Sequence, residues 1–164
     1  MYITLKKLLT FLLAVILSVT FSNSVFAYPQ SSSLPNAEYT YYSDGSYTVS
    51  VITNETSNNN SYTRATNTVT KSKTSTHYSS ANVKLWYIKV TGTFTYDSKA
   101  SKCTSSQVSA GSYNNSWKIS NKSASTSGST AIASATAKLY TGTVISQTQQ
   151  ETVKLTCDKN GNFS

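Results

Sequence analysis

Few residues in this 164-residue chain could do chemistry, and their spacing limits which chemistry. There is one histidine, His77, and six carboxylates, Glu38, Asp44, Glu55, Asp97, Glu151 and Asp158. Ser-His-Asp catalysis needs three such groups within hydrogen-bond reach, and glycoside hydrolysis needs two carboxylates facing one cleft. Most of the acids fall in expected turns or beside loops, and His77 lies in a Ser/Thr-rich stretch that reads as an exposed strand. The expectation is therefore a protein that is not an enzyme. A carboxylate pair lining a concave pocket would revive a hydrolase. No ligand spacing suits a metal and no glycine loop suits a phosphate, so no cofactor is expected.

The remaining candidates are aromatic. Tyr39, Tyr41, Tyr42 and Tyr47 cluster around one Asp-Gly turn and are the candidate ligand contacts. Strand alternation puts Tyr39 and Tyr41 on one face and throws Tyr42 to the other. An exposed phenol offers a flat apolar ring and a hydroxyl, suited to sugar rings or to another protein. Ordinary cross-strand aromatic pairing is the competing reading.

The chain opens with Lys6 and Lys7 ahead of an apolar run over residues 8–19, too short for the ~20 residues of a membrane span. With Val25-Phe26-Ala27 ahead of a cut, residues 1–27 read as a cleaved signal peptide and Tyr28 as the mature start. The expected location is extracellular, with cell-surface association, and no membrane span remains after cleavage. The mature chain has 137 residues, 12 basic against 6 acidic, a net charge of +6. That surplus favours anionic partners such as wall polymers, acidic glycans or lipid head groups. No basic run and no aromatic–basic motif is present, so no nucleic-acid partner is expected. Cys103 and Cys157 are the only cysteines, and in an exported chain an even pair reads as a disulfide, here closing 55 residues. Such a closure is worth at most about 4 kcal/mol.

The elements that must position these groups are strands. Residues 28–37 are mostly Pro, Gln, Ser and Asn and read as a disordered leader. Residues 38–42 and 47–53 flank Ser43-Asp44-Gly45-Ser46 as a hairpin, because its turn needs positive φ. Residues 62–78 are almost free of aliphatic side chains and suit an edge strand guarded by Lys71 and Lys73, or partial disorder. Over 83–96, Trp86, Ile88, Val90, Gly92, Phe94 and Tyr96 alternate with Lys89, Thr91, Thr93 and Thr95, predicting a central strand or two strands bent at Gly92. Strands follow over 102–112, from Trp117 onward, through Ala131, Ala133, Ala135 and Ala137, where a short helix is the competing reading, and over 144–157; residues 123–130 read as a polar turn. The small alanines would face large residues such as Trp86 or Trp117. The fold class is all-β, an antiparallel immunoglobulin-like β-sandwich of about eight strands in one domain, residues 38–164.

Leu85-Trp86-Tyr87, the block from Lys89 to Tyr96, Lys102-Cys103-Thr104, the stretch from Tyr113 to Trp117, Ser127-Gly128 and the ending from Val153 to Gly161 resemble a family of small secreted immunoglobulin-like proteins of clostridia and related Gram-positive bacteria. The resemblance spans residues 83–164 and implies an exported β-sandwich with one disulfide. It implies no biochemical activity. The functional expectation is a binding or surface-interaction module whose partner is a cell-wall polymer, a glycan or another protein. A small bacteriocin-like or toxin effector is the alternative, and a hydrolase the third reading.

Overall fold

A computed structural model describes residues 36–55 and 66–164. The expected signal peptide and residues 28–35 of the expected leader lie outside the described residues, as do residues 62–65 of the expected third strand. Ala37 does not belong to a leader: it opens the first strand, paired with Val51.

Among the described residues there is no helix, and eight antiparallel strands form two sheets. The larger sheet has β1 (Ala37–Tyr41), β2 (Tyr47–Asn54), β3 (Asn67–Tyr78), β4 (Lys84–Tyr96) and β5 (Ser101–Ser112), in that order. The smaller has β6 (Trp117–Ser127), β7 (Thr130–Thr141) and β8 (Val144–Thr156). Within each sheet every strand hydrogen-bonds its chain neighbours, so both are meanders; an immunoglobulin sandwich instead passes between its sheets by Greek-key connections. Tight turns enforce the neighbour pairing. Gly45, Gly128 and Gly142 all sit at positive φ between consecutive strands, as tight hairpin turns require.

The core lies where the smaller sheet covers the larger. Trp86, Ile88, Val90 and Phe94 of β4 are buried against Ala131, Ala133, Ala135 and Ala137 of β7, with Val153 and Leu155 of β8 beside them. Burying one large side chain of this kind contributes about 1.5–3 kcal/mol. β4 is one continuous strand, and Gly92 marks a close approach within it. A Cβ there would lie 2.6 Å from the Phe94 ring and 2.7 Å from Ala131 Cβ in the opposite sheet.

Several expectations are corrected. β3 is no edge strand: it is the middle strand of five, and its small Ser72 and Ser75 are buried. Lys71 and Lys73 guard no edge; Lys71 lies 4.4 Å over the Phe163 ring and Lys73 pairs with Glu38. His77 is not exposed, because β4 pairs it directly with Trp86 and the imidazole stacks on the indole at 4.9 Å. Residues 123–127 belong to β6, which turns only at Gly128 and Ser129.

The expected disulfide is not formed. Cys103 and Cys157 are free, buried thiols. Each is satisfied locally, Cys103 Sγ donating to Ser105 O at 3.2 Å and Cys157 Sγ to Asp158 O at 3.3 Å. Burial pushes both thiols up and so favours the protonated form. The tie between β5 and β8 that a bridge would supply is made by backbone hydrogen bonds: Cys103 N–H donates to Gly128 O, and Cys157 N–H to Ser129 O.

Candidate functional site

One row of cross-strand partners shows how the site arises. Glu38 on β1 pairs with Ser50 on β2, Ser50 with Ser75 on β3, Ser75 with Ile88 on β4 and Ile88 with Ala110 on β5. Directly opposed residues share a face, so this row lies wholly on the inner face. It changes from charged and hydroxylic to apolar as it passes beneath the smaller sheet. Three strands cannot cover five, so β1 and β2 overhang; of their inward residues Ile52 still packs against the apolar core. The sequence fits this: inward positions of β1 and β2 are mostly Glu, Thr and Ser, groups too costly to bury without partners.

The overhang and β8 enclose a polar groove made of two adjoining hollows of about 360 and 270 Å³. Both share Glu38, Ser50, Lys73 and Lys154. Tyr42, Thr48, Ser75 and Glu151 line one end, and Ile52, Thr156 and Ser164 the other. Lys73 Nζ lies 3.2 Å from Glu38 Oε2, its own side chain mostly covered. Glu151 projects from β8 in phase with the buried Val153 and Leu155, and burial pushes its carboxyl up. Two carboxylates of different environment thus line one groove. Ser50 Oγ and Ser75 Oγ are hydrogen-bonded to one another at 3.0 Å, forming a hydroxyl floor.

At the groove mouth a polar chain runs into the core. Tyr42 Oη and Thr48 Oγ1 are 3.2 Å apart, as are Thr48 Oγ1 and His77 Nδ1. Burial pushes the His77 imidazole down, and the nearby Asp44 carboxylate only partly opposes this. His77 ends this chain inside the core, where burial favours its neutral form.

The four candidate tyrosines divide as alternation requires. Tyr42 goes to the inner face, its ring 5.4 Å from His77. Tyr39, Tyr41 and Tyr47 share the outer face, joined there by Tyr78, which the sequence reading passed over. Tyr47 and Tyr78 stack at 4.9 Å with their planes 3° apart, and Tyr41 meets Tyr47 at 5.6 Å. The 4.9 Å separation is close to the strand spacing, so the rings stand side by side as a ladder. Tyr47, inside the ladder, is buried. The ladder is thus largely cross-strand packing, and of the four candidates only Tyr42 lines the groove.

The sequence reading missed Glu38, Lys73, Glu151 and Lys154 as a set. Register alone brings them together. Glu38 and Lys73 are 35 positions apart, and no apolar phase in β3 marks Lys73 as inward. No family model, curated protein or solved structure matches the chain.

Proposed function

We propose that this protein is an exported binding module that holds a hydroxyl-rich ligand, a glycan chain, in the groove between β8 and the overhanging β1–β2 hairpin. The observation that carries the reading is the row Glu38–Ser50–Ser75, polar where a closed sandwich would be apolar, facing Glu151 and Lys154 across an open hollow. Sugar hydroxyls both donate and accept, so carboxylates, ammonium groups and Ser/Thr hydroxyls in one groove suit them. Tyr42 adds a ring face at the mouth. Opposite charges within the groove favour a neutral polyhydroxylic chain there. In this reading, export rests on the segment before Tyr28, and the likeness to secreted clostridial proteins extends to sandwich architecture and export, not to Greek-key order or to a bridge.

Affinity electrophoresis in gels cast with soluble polysaccharides, including glycan strands from cell walls, tests the reading. At least one is expected to retard the protein, and Lys154→Ala and Tyr42→Ala to weaken retardation about tenfold or more at unchanged melting temperature. No retardation by any polysaccharide, or full retention by both variants, overturns it. Growth inhibition of neighbouring bacteria without glycan binding would instead make the protein an effector.

A second reading rests on one specific observation: Glu38 and Glu151 line the same hollow, Glu151 shifted toward its protonated form. A pair in different environments is the acid-and-base arrangement of glycoside hydrolysis. Release of new reducing ends from a bound glycan, abolished by Glu151→Gln, would establish hydrolysis; binding without release leaves a module.

A further inference from the structure

The exposed apolar side chains are not scattered. Among the described residues the large hydrophobics most open to solvent are Tyr41, Tyr42, Val83, Tyr113, Val144 and Ile145, with Val144 65% and Val83 54% exposed. Strand direction puts all six at one end of the sandwich. There β1 turns into β2, β3 into β4, β5 into β6 and β7 into β8. Each connection touches the next connection or the strand end beside it. A Cβ on Gly45 would lie 3.1 Å from Ser80 Cβ, Tyr113 N–H donates to Leu85 O at 2.9 Å, and Tyr140 N–H donates to Ser116 O at 2.8 Å. The opposite end, with its turns at residues 97–100 and 158–162, carries Asp97 and Asp158 and none of these exposed hydrophobics. Single exposed apolar residues are ordinary, but six gathered on neighbouring strand ends and connections mark an interaction surface.

Charge at the same end identifies the partner. Lys84 lies 5.6 Å over the Tyr113 ring, and Lys118 of β6 stands directly opposite Lys138 of β7. Like charges so opposed repel, and a bound anion would relieve them. The one carboxylate among the described residues there, Asp44, is engaged by the Ser46 N–H and hydroxyl. Aliphatic tips, tyrosines with a ring and a hydroxyl, and a surround of lysines match the boundary between acyl chains and anionic head groups.

We propose that this four-loop end docks on an anionic lipid bilayer, seating Val144, Ile145, Val83 and Tyr113 at the head-group boundary, with Lys84, Lys118 and Lys138 on lipid phosphates. This face meets the groove at Tyr42, but none of the residues seated on the bilayer lines the groove, so the proposal does not rest on the glycan reading.

Co-sedimentation of the form beginning at Tyr28, which contains the whole described fold, with sized vesicles tests this. Phosphatidylglycerol–phosphatidylcholine vesicles are expected to bind it at least tenfold more tightly than phosphatidylcholine alone, with binding falling as salt rises. The double variant Val144→Asp/Ile145→Asp is expected to lose at least tenfold in binding at an unchanged melting temperature. Lys118→Glu/Lys138→Glu is expected to lose the preference for anionic vesicles. Equal binding to both vesicles, no binding, or full binding by both double variants overturns the proposal. So does a dimer in sedimentation velocity that Val144→Asp dissolves, which would give the face to a second copy. Lys154→Ala, at a groove residue outside this face, is expected to weaken glycan binding and leave vesicle binding intact, so either proposal can fail alone.

Discussion

His77 shows how one residue's setting decides its chemistry. Stacked on Trp86 and joined to Thr48, it is 3% exposed, and burial holds its pKa below the ordinary 6.5. The unfolded chain therefore binds more protons than the folded one once pH falls below 6.5. His77's contribution is complete above 6.5 and is lost as pH drops from there toward its folded value, with a slope of at most about 1.4 kcal/mol per pH unit. Denaturant unfolding at pH 7.5 and 5.5 should show wild type losing more stability on acidification than His77→Gln; equal losses would refute the argument. Glu151 titrates in both proteins and cancels from the difference. A single histidine in a Ser/Thr-rich run gives no sign of this, because nothing local reveals that its cross-strand partner is Trp86. Trp86 Nε1 is itself buried with no hydrogen-bond partner among the described residues.

At the scale of elements, β4 was the most legible and β3 the least. β4 carries an unbroken apolar alternation, and the structure buries that phase. Its glycine is a packing requirement: Gly92→Ala places a methyl group against the Phe94 ring and Ala131, and should cost about 1–3 kcal/mol as overpacking. Gly111→Ala meets only the Tyr87 ring, on the outer face, where the ring can swing toward solvent, and should cost less. Equilibrium unfolding of both variants checks the order, and equal costs would contradict it. β3 looked peripheral because it has few apolar side chains. It is central because β2 and β4 both pair with it, and side-chain hydroxyls bond across the strands, as in Ser50–Ser75 and Thr70–Thr93.

At the scale of the whole molecule, the two sheets are held by the apolar layer between β4 and β7 and by backbone bonds that bring β5 and β8 to the same turn. No covalent bridge assists them. Alkylation in denaturant without reductant should therefore add two groups per chain, at Cys103 and Cys157, whereas the native protein should resist labelling because both thiols are buried and protonated. Failure to label the unfolded chain would show the sulfurs joined. The unequal sheets also create both candidate surfaces, a polar groove along the uncovered hairpin and an apolar, lysine-flanked end where four connections meet.

By itself the sequence determined the all-β class, the first hairpin, the inward face of β4, the alanine strand and the division of Tyr39 and Tyr41 from Tyr42. Each is a local property, written in period-two alternation or in a turn that needs positive φ. Tertiary structure alone decided that β3 lies in the middle, that His77 is buried, that the thiols stay apart and that Glu38, Lys73, Glu151 and Lys154 share one groove. These depend on register and on where a three-stranded sheet stops covering a five-stranded one, and in Ser/Thr-rich strands no apolar phase records either.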